Sequence, residues 1–352
     1  MTSELTNDAV AFLQQIISIP SFSREETAVA DFLAYYIESK GYVVSRKDNN
    51  IWLICPGFDD SRPTILLNSH IDTVKPVSGW VRDPFNPIIE NGKLFGLGSN
   101  DAGASVVSLL SAFFYLTQQT QNFNLIFAAT SEEEVSGKNG IESLLKELPK
   151  IDFAVVGEPT GMQPAVAEKG LMVLDCTAYG KAGHAARNDG ENAIYKALKD
   201  IDWFKDYQFS KLSTWLGSVK MTVTQINAGT QHNVVPDKCS FVVDIRTNEK
   251  YTNEEILAEI RMQVNCNVEA RSTRLSSSFT PSNHPFVNRA KELNLIPFGS
   301  PTLSDQALIN CPSVKIGPGL SERSHTADEF IMINEISEAI ELYVKLLNGL
   351  VL

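Results

Sequence analysis

The chain has 352 residues, 43% hydrophobic and 20% charged, a balance that excludes disorder and supplies apolar mass for more than one core. A formal charge of −12 and a pI of about 5.0 exclude a nucleic-acid partner, which would need a basic stripe. No stretch has the apolar length of a membrane span, and Met1–Ala9 lacks the basic start and apolar core of a signal peptide, so the expected address is the cytoplasm.

In chain order, Thr6 to Ser18 and Ser23 to Gly41 read as amphipathic helices, the second opened by a Ser-x-x-Glu capping box at Ser23 to Glu26 and closed by Gly41. Tyr42 to Arg46 and Ile51 to Cys55 are short strands. Thr64 to Asn68 is a continuous apolar strand of the kind covered on both faces, and it runs into Ser69-His70-Ile71-Asp72. Beyond a Pro-rich loop, Leu94 to Ser99 leads through Gly96 and Gly98 to Asn100-Asp101. The helix Ala104 to Gln118 follows. Asn124 to Thr130 is a strand, Ile141 to Leu148 a helix, and Asp152 to Val156 a strand ending at Gly157-Glu158-Pro159. This alternation predicts a three-layer α/β/α domain.

After Glu158 the pattern changes. Leu171 to Tyr179 alternates, Ala193 to Lys199 is helical, and Ser218 to Asn227 and Cys239 to Arg246 are strands. A helix at Asn253 to Gln263 and a strand near Asn267 to Arg271 complete a β-α-β-β-α-β order, that of a ferredoxin-like α+β unit. The expected division is residues 1–169 and 281–352 for the main domain and 170–280 for the insert. The α/β character returns with a helix at Phe286 to Leu293, a strand at Ser313 to Ile316, the loop Gly317 to Thr326 and a terminal helix Ile333 to Asn348.

Five scattered cysteines, none in a C-x-x-C pair, argue against disulfides and cysteine-bound zinc. With only five histidines, a metal site must combine a few imidazoles with carboxylates. Glu132-Glu133-Glu134 lies at the end of an apolar strand; buried, three adjacent acids repel and call for a cation, whereas exposed they form a solvated turn. His70, Glu132 and Glu158 all sit just past the carboxyl ends of apolar strands, where open α/β sheets bind ligands. His70 and Asp72, two apart on a strand, leave the same face, either as a metal ligand with its orienting acid or as a structural hydrogen bond. Asp101 is either an N-cap or a bridging carboxylate. With His325, the set His70, Asp101, Glu133, Glu158 and His325 gives each of two metals one histidine, one terminal acid and a shared Asp101 if that residue bridges. Such ligands suit zinc, with cobalt or manganese as alternatives. There is no H-E-x-x-H, no nucleophile elbow and no phosphate-binding G-K-[ST].

The runs His70-Ile-Asp72-Thr-Val, Gly98-Ser-Asn-Asp101, Ser131-Glu132-Glu133-Glu134, Gly157-Glu158-Pro159-Thr160, Gly183-His184-Ala185 and Ser324-His325-Thr-Ala-Asp328-Glu329 together resemble the M20 metallopeptidases, in family order over nearly the whole chain. The resemblance implies two zinc ions per subunit. His70, Asp101 and Glu158 would hold one, and His325, Asp101 and Glu133 the other. It implies Glu132 as general base, Asp72 behind His70, and His184 as oxyanion donor, often from the partner subunit of a homodimer formed through the insert. Asn233 and Arg246 would hold a substrate carboxylate, a task a planar guanidinium also suits on its own chemistry. Asp305 is either a turn residue or the counter-charge of a substrate ammonium such as ornithine's. The favoured reaction is removal of acetyl or succinyl from N-acylornithine, a small-molecule N-acyl amino acid. Succinyl-diaminopimelate desuccinylation comes second, and a dipeptidase or aminoacylase third. A catalytically silent dimeric binding protein is the non-enzymatic alternative.

Overall fold

The structure, a computed structural model, describes residues 2–352, which form two units. The first comprises the chain up to Val166, Phe279–Phe298 and Ser304–Leu352; the second comprises Ala167–Ser278 and Gly299–Leu303. The first division thus falls at 166/167 instead of 169/170, and the short return segment Gly299–Leu303 belongs with the insert.

In the first unit the sheet runs in the order Ser45–Lys47, Asn50–Ile54, Asn124–Thr130, Thr64–His70, Phe153–Val156, Ser313–Lys315 and on to Ala165–Glu168, where the chain leaves the unit. The strands from Asn124–Thr130 to Ser313–Lys315 are mutually parallel. Every residue of Thr64–His70 and Asn124–Thr130 is buried, which is why these strands read as unbroken apolar runs. Helices Thr2–Ile17, Ala104–Leu116 and Ile333–Leu347 pack together on one face, with Phe113 against Phe127 of the sheet. The opposite layer is thin. Leu66, Ile126, Ala128, Ala154 and Val156 are covered there by Ile141 and Leu144 of a four-residue helix. The three-layer expectation therefore holds, with unequal outer layers.

The second unit has the strand order Lys220–Ala228, Lys238–Thr247, Gly170–Tyr179, Asn267–Ala270, antiparallel throughout. Met172, Leu174, Cys176 and Ala178 alternate into a core shared with helices Ala193–Asp206 and Asn253–Gln263. This is the ferredoxin-like arrangement read from the sequence. No helix among the described residues is long and apolar enough to cross a membrane.

One local expectation fails. The second helix spans Thr27–Ser39, and Glu26 at its N-cap makes no capping bond. Ser23 does not cap; its hydroxyl donates to Asp72 Oδ2 at 2.7 Å. Glu26, fully buried, accepts from the backbone N–H of Arg24 and Glu132 and from Asn49 Nδ2. Distant donors on the sheet edge outcompete the local box.

Candidate metal centre

Parallel strands align their carboxyl ends, so the residues just past those ends converge. His70 closes its strand and is buried. Its Nδ1 lies 2.9 Å from the backbone carbonyl of Asp72 and 3.5 Å from Asp72 Oδ1. A proton on Nδ1 shared with those acceptors leaves the Nε2 lone pair facing Asp101 Oδ1 at 3.2 Å, Glu158 Oε1 at 3.7 Å and Glu133 Oε2 at 3.9 Å. The Asp72 carboxylate has a second task. It accepts from Ser23 Oγ and from the backbone N–H of Glu133 (3.0 Å) and Glu134 (3.1 Å), fixing the acidic turn.

That turn assigns its three acids differently from the sequence expectation. Glu132 takes a left-handed backbone, φ 56°, an uncommon conformation for a residue with a side chain. Its carboxylate accepts from Asn139 Nδ2 at 2.9 Å, lying against Gly137 so closely that a Cβ there would meet Glu132 Oε2 at 1.8 Å. Glu133 faces His70. Glu134, to which the resemblance assigned no role, sets both carboxylate oxygens 3.0 Å from His325 Nε2. The carboxylate beside His325 is therefore Glu134, where the resemblance implied Glu133, and the Glu132 carboxylate is engaged by Asn139. The cause is the reversal at Glu132 followed by the two N–H bonds to Asp72.

Asp101 stands between the two histidines: Oδ1 is 3.2 Å from His70 Nε2 and Oδ2 is 3.8 Å from His325 Nε2. Two clusters of ligand atoms result, His70–Asp101–Glu158 and Asp101–Glu134–His325, each with its atoms within 4.8 Å of one another. Glu158 Oε1 is buried without a hydrogen-bond partner, and an orphaned carboxylate oxygen facing three other acids is what a cation would satisfy. The residues fit two metal ions.

The electrostatics agree. Burial first, then Glu158, Asp305 and Glu134, push Glu133 well above the usual carboxylate range. Burial, with Asp101 and Asp305, does the same to Glu158. Burial also opposes the charge on Asp101, but the His70 hydrogen bond outweighs it and holds Asp101 low. The bond to Glu134 lifts His325 to about 9. Without cations, part of this crowd must hold protons.

Asp305 is not placed to meet a substrate ammonium. It is 4% exposed and accepts from Asn68 Nδ2 and Thr130 Oγ1, both at 2.7 Å, tying together the strands that carry His70 and the acidic turn. Burial raises it to about 6.

His184, Asn233 and Arg246 belong to the second unit. There the Gly183–His184 and Val234–Val235 strands pair, and Ala185 N–H donates to the Asn233 carbonyl, so His184 and Asn233 become neighbours. The His184 ring is exposed, with Nδ1 accepting from Ala186 N–H. Arg246 is gripped by Asp244, Nε at 2.9 Å and one terminal nitrogen at 3.2 Å.

Sequence reasoning missed Ser23, Glu26, Asn100 and Glu329. Glu329 was visible in the His325 motif, but its role depends on backbone partners that no spacing displays.

Two histidines around a shared carboxylate at the carboxyl edge of a parallel sheet define a metal-dependent hydrolase. The chain belongs to peptidase family M20/M25/M40, whose profile matches residues 66–349, and it is a metal-dependent amide hydrolase. It is 25% identical over 368 aligned positions to a succinyl-diaminopimelate desuccinylase of Wolbachia sp. subsp. Brugia malayi (strain TRS), covering 96% of this chain and 92% of the relative. Its fold matches an aminopeptidase PepT of Bacillus cereus ATCC 10987 with a TM-score of 0.79 at 20% identity, covering 99% and 98% of the two chains. It also matches a dinuclear metal-binding M20 peptidase of Bacillus subtilis at a TM-score of 0.74 and 16% identity, over 98% of each chain.

Proposed function

We propose that the chain hydrolyses the amide of an N-acyl amino acid with two zinc ions, cobalt or manganese serving as substitutes. The carrying observation is that each oxygen of Asp101 faces a different histidine. His70, Asp101 and Glu158 would hold one ion, and Asp101, Glu134 and His325 the other. When bound, such a pair polarises a carbonyl and acidifies water toward neutrality.

Glu133, the acid beside His70 left outside both clusters, is the general base. It takes a proton from water as the C–O bond forms and delivers it to the departing nitrogen as the C–N bond breaks, releasing a carboxylate and a free amine. His184 stabilises the oxyanion, either in its own subunit or from the partner of a homodimer formed through the insert. Arg246, oriented by Asp244, and Asn233 receive a substrate carboxylate.

N-succinyl-diaminopimelate is the first substrate to test. Two curated relatives are succinyl-diaminopimelate desuccinylases, and Asp305, the residue suited to ornithine's ammonium, is buried and bonded to Asn68 and Thr130. N-acetyl- and N-succinylornithine come next, then dipeptides. Zinc-loaded full-length protein offered this panel should release succinate fastest from N-succinyl-diaminopimelate. Faster acyl release from an acylornithine would reverse the order of substrates, and no release from any would leave a binding protein on the same fold.

A further inference from the structure

Two of the three ligands of the second cluster, Asp101 and His325, come from loops outside the main sheet. Asp101 lies in the Gly98–Gly103 segment and His325 in the 320–329 segment. A small ladder brings them together: Phe330–Met332 pairs with Lys93–Phe95, and Gly96 N–H donates to the Glu329 carbonyl at 3.0 Å. From there the Glu329 side chain, 2% exposed, turns beneath the Asp101 loop. Its Oε2 accepts from Gly98 N–H at 3.0 Å, and its Oε1 accepts from Asn100 N–H at 2.8 Å and Asp101 N–H at 2.9 Å. Gly98 reaches this acceptor with a left-handed φ of 75°, which a residue with a side chain adopts only under strain.

Asn100 returns the grip. Fully buried, it accepts from Leu320 N–H at 3.0 Å and donates to the Leu320 carbonyl at 3.1 Å and to Ser324 Oγ at 3.3 Å. Gly319 makes room for it, since a Cβ there would lie 2.2 Å from Asn100 Oδ1. The His325 loop thus holds the backbone of Asp101, and the residue before Asp101 holds the backbone leading to His325. Neither Glu329 nor Asn100 bonds to His70 or Glu158 in this network.

We propose that Glu329 and Asn100 form a reciprocal clamp that sets Asp101 and His325 for the second cation, making them positioning residues for metal loading. The inference rests on the two-cation reading above. A buried carboxylate facing three N–H groups is costly to leave half-satisfied, and partners behind metal ligands typically tune affinity by ~10–100-fold. Both clusters share Asp101, but His70–Asp101–Glu158 draws its other two ligands from outside the clamp, whereas Asp101–Glu134–His325 takes two of its three from the clamped loops, so the effect falls more heavily on the second cation.

The test titrates metal-free full-length protein with Co2+, following heat and visible absorption, for wild type, E329Q and N100A. The two variants break the clamp from opposite sides, so either one that folds suffices. Wild type should take two equivalents. In each variant the first should bind within ~3-fold of wild type and the second ~10–100-fold more weakly, with loss of the second absorption change. Two unaltered equivalents, or two equally weakened ones, would overturn the clamp. Fewer than two equivalents in wild type would instead overturn the two-cation reading itself.

Discussion

His325 Nε2 lies 3.0 Å from both carboxylate oxygens of Glu134. In the metal-free protein that contact holds a proton on the ring, raising His325 to about 9. Because this folded-state value is raised, the stability it supplies is present below the ordinary histidine range and is lost as pH rises through about 9. A metal needs the neutral ring, so loading of this cluster must expel the proton. The second equivalent of zinc should therefore tighten by ~10-fold per pH unit between pH 6.5 and 8.5. Calorimetry in buffers of different ionisation enthalpy would show one proton released; affinity independent of pH would contradict the pairing.

Glu132 should prove structural. Its carboxylate serves Asn139 and packs against Gly137. Glu132→Gln is expected to keep kcat within a few-fold of wild type and to lose ~1–3 kcal/mol of stability through the disturbed buried hydrogen bond. Thermal melting and steady-state kinetics check both halves. A kcat fallen by orders of magnitude with the fold intact would return the base role to Glu132.

The contrast shows where sequence information ends. Buried parallel strands announce themselves because both faces are apolar, and the insert does so through the alternation of Gly170–Tyr179. The residues lining the centre were legible because strand ends converge. Which of three consecutive glutamates faces which histidine was not, since it depends on one left-handed residue and on N–H bonds to Asp72 some sixty positions away. Asp305 resembled a turn acid because its partners, Asn68 and Thr130, are remote in the chain. Ser23 matched a capping box that Asp72 displaced.

Asp305 supplies a pH signature. Burial raises it to about 6, so its contribution to stability is present below the ordinary aspartate value and is lost as pH rises through 6. At pH 7.5 its charged form costs metal-free protein up to ~3 kcal/mol, from about two pK units at ~1.4 kcal/mol each. Asp305→Asn keeps an oxygen for Asn68 and Thr130 and removes the charge. The metal-free variant should melt above wild type at pH 7.5, with the gap closing as pH falls through 6 toward 4. A gap that widens on acidification would contradict this.

The division of labour between Glu133 and Glu134 is the centre of the account, and one paired measurement addresses it. Zinc stoichiometry and kcat are determined together for Glu133→Gln and Glu134→Gln. The first variant should bind two equivalents while kcat falls by ~10²–10⁴-fold, as loss of a general base requires; the second should bind one equivalent tightly and the other weakly. The reverse pattern, with Glu133→Gln losing the metal and Glu134→Gln retaining both, would contradict it.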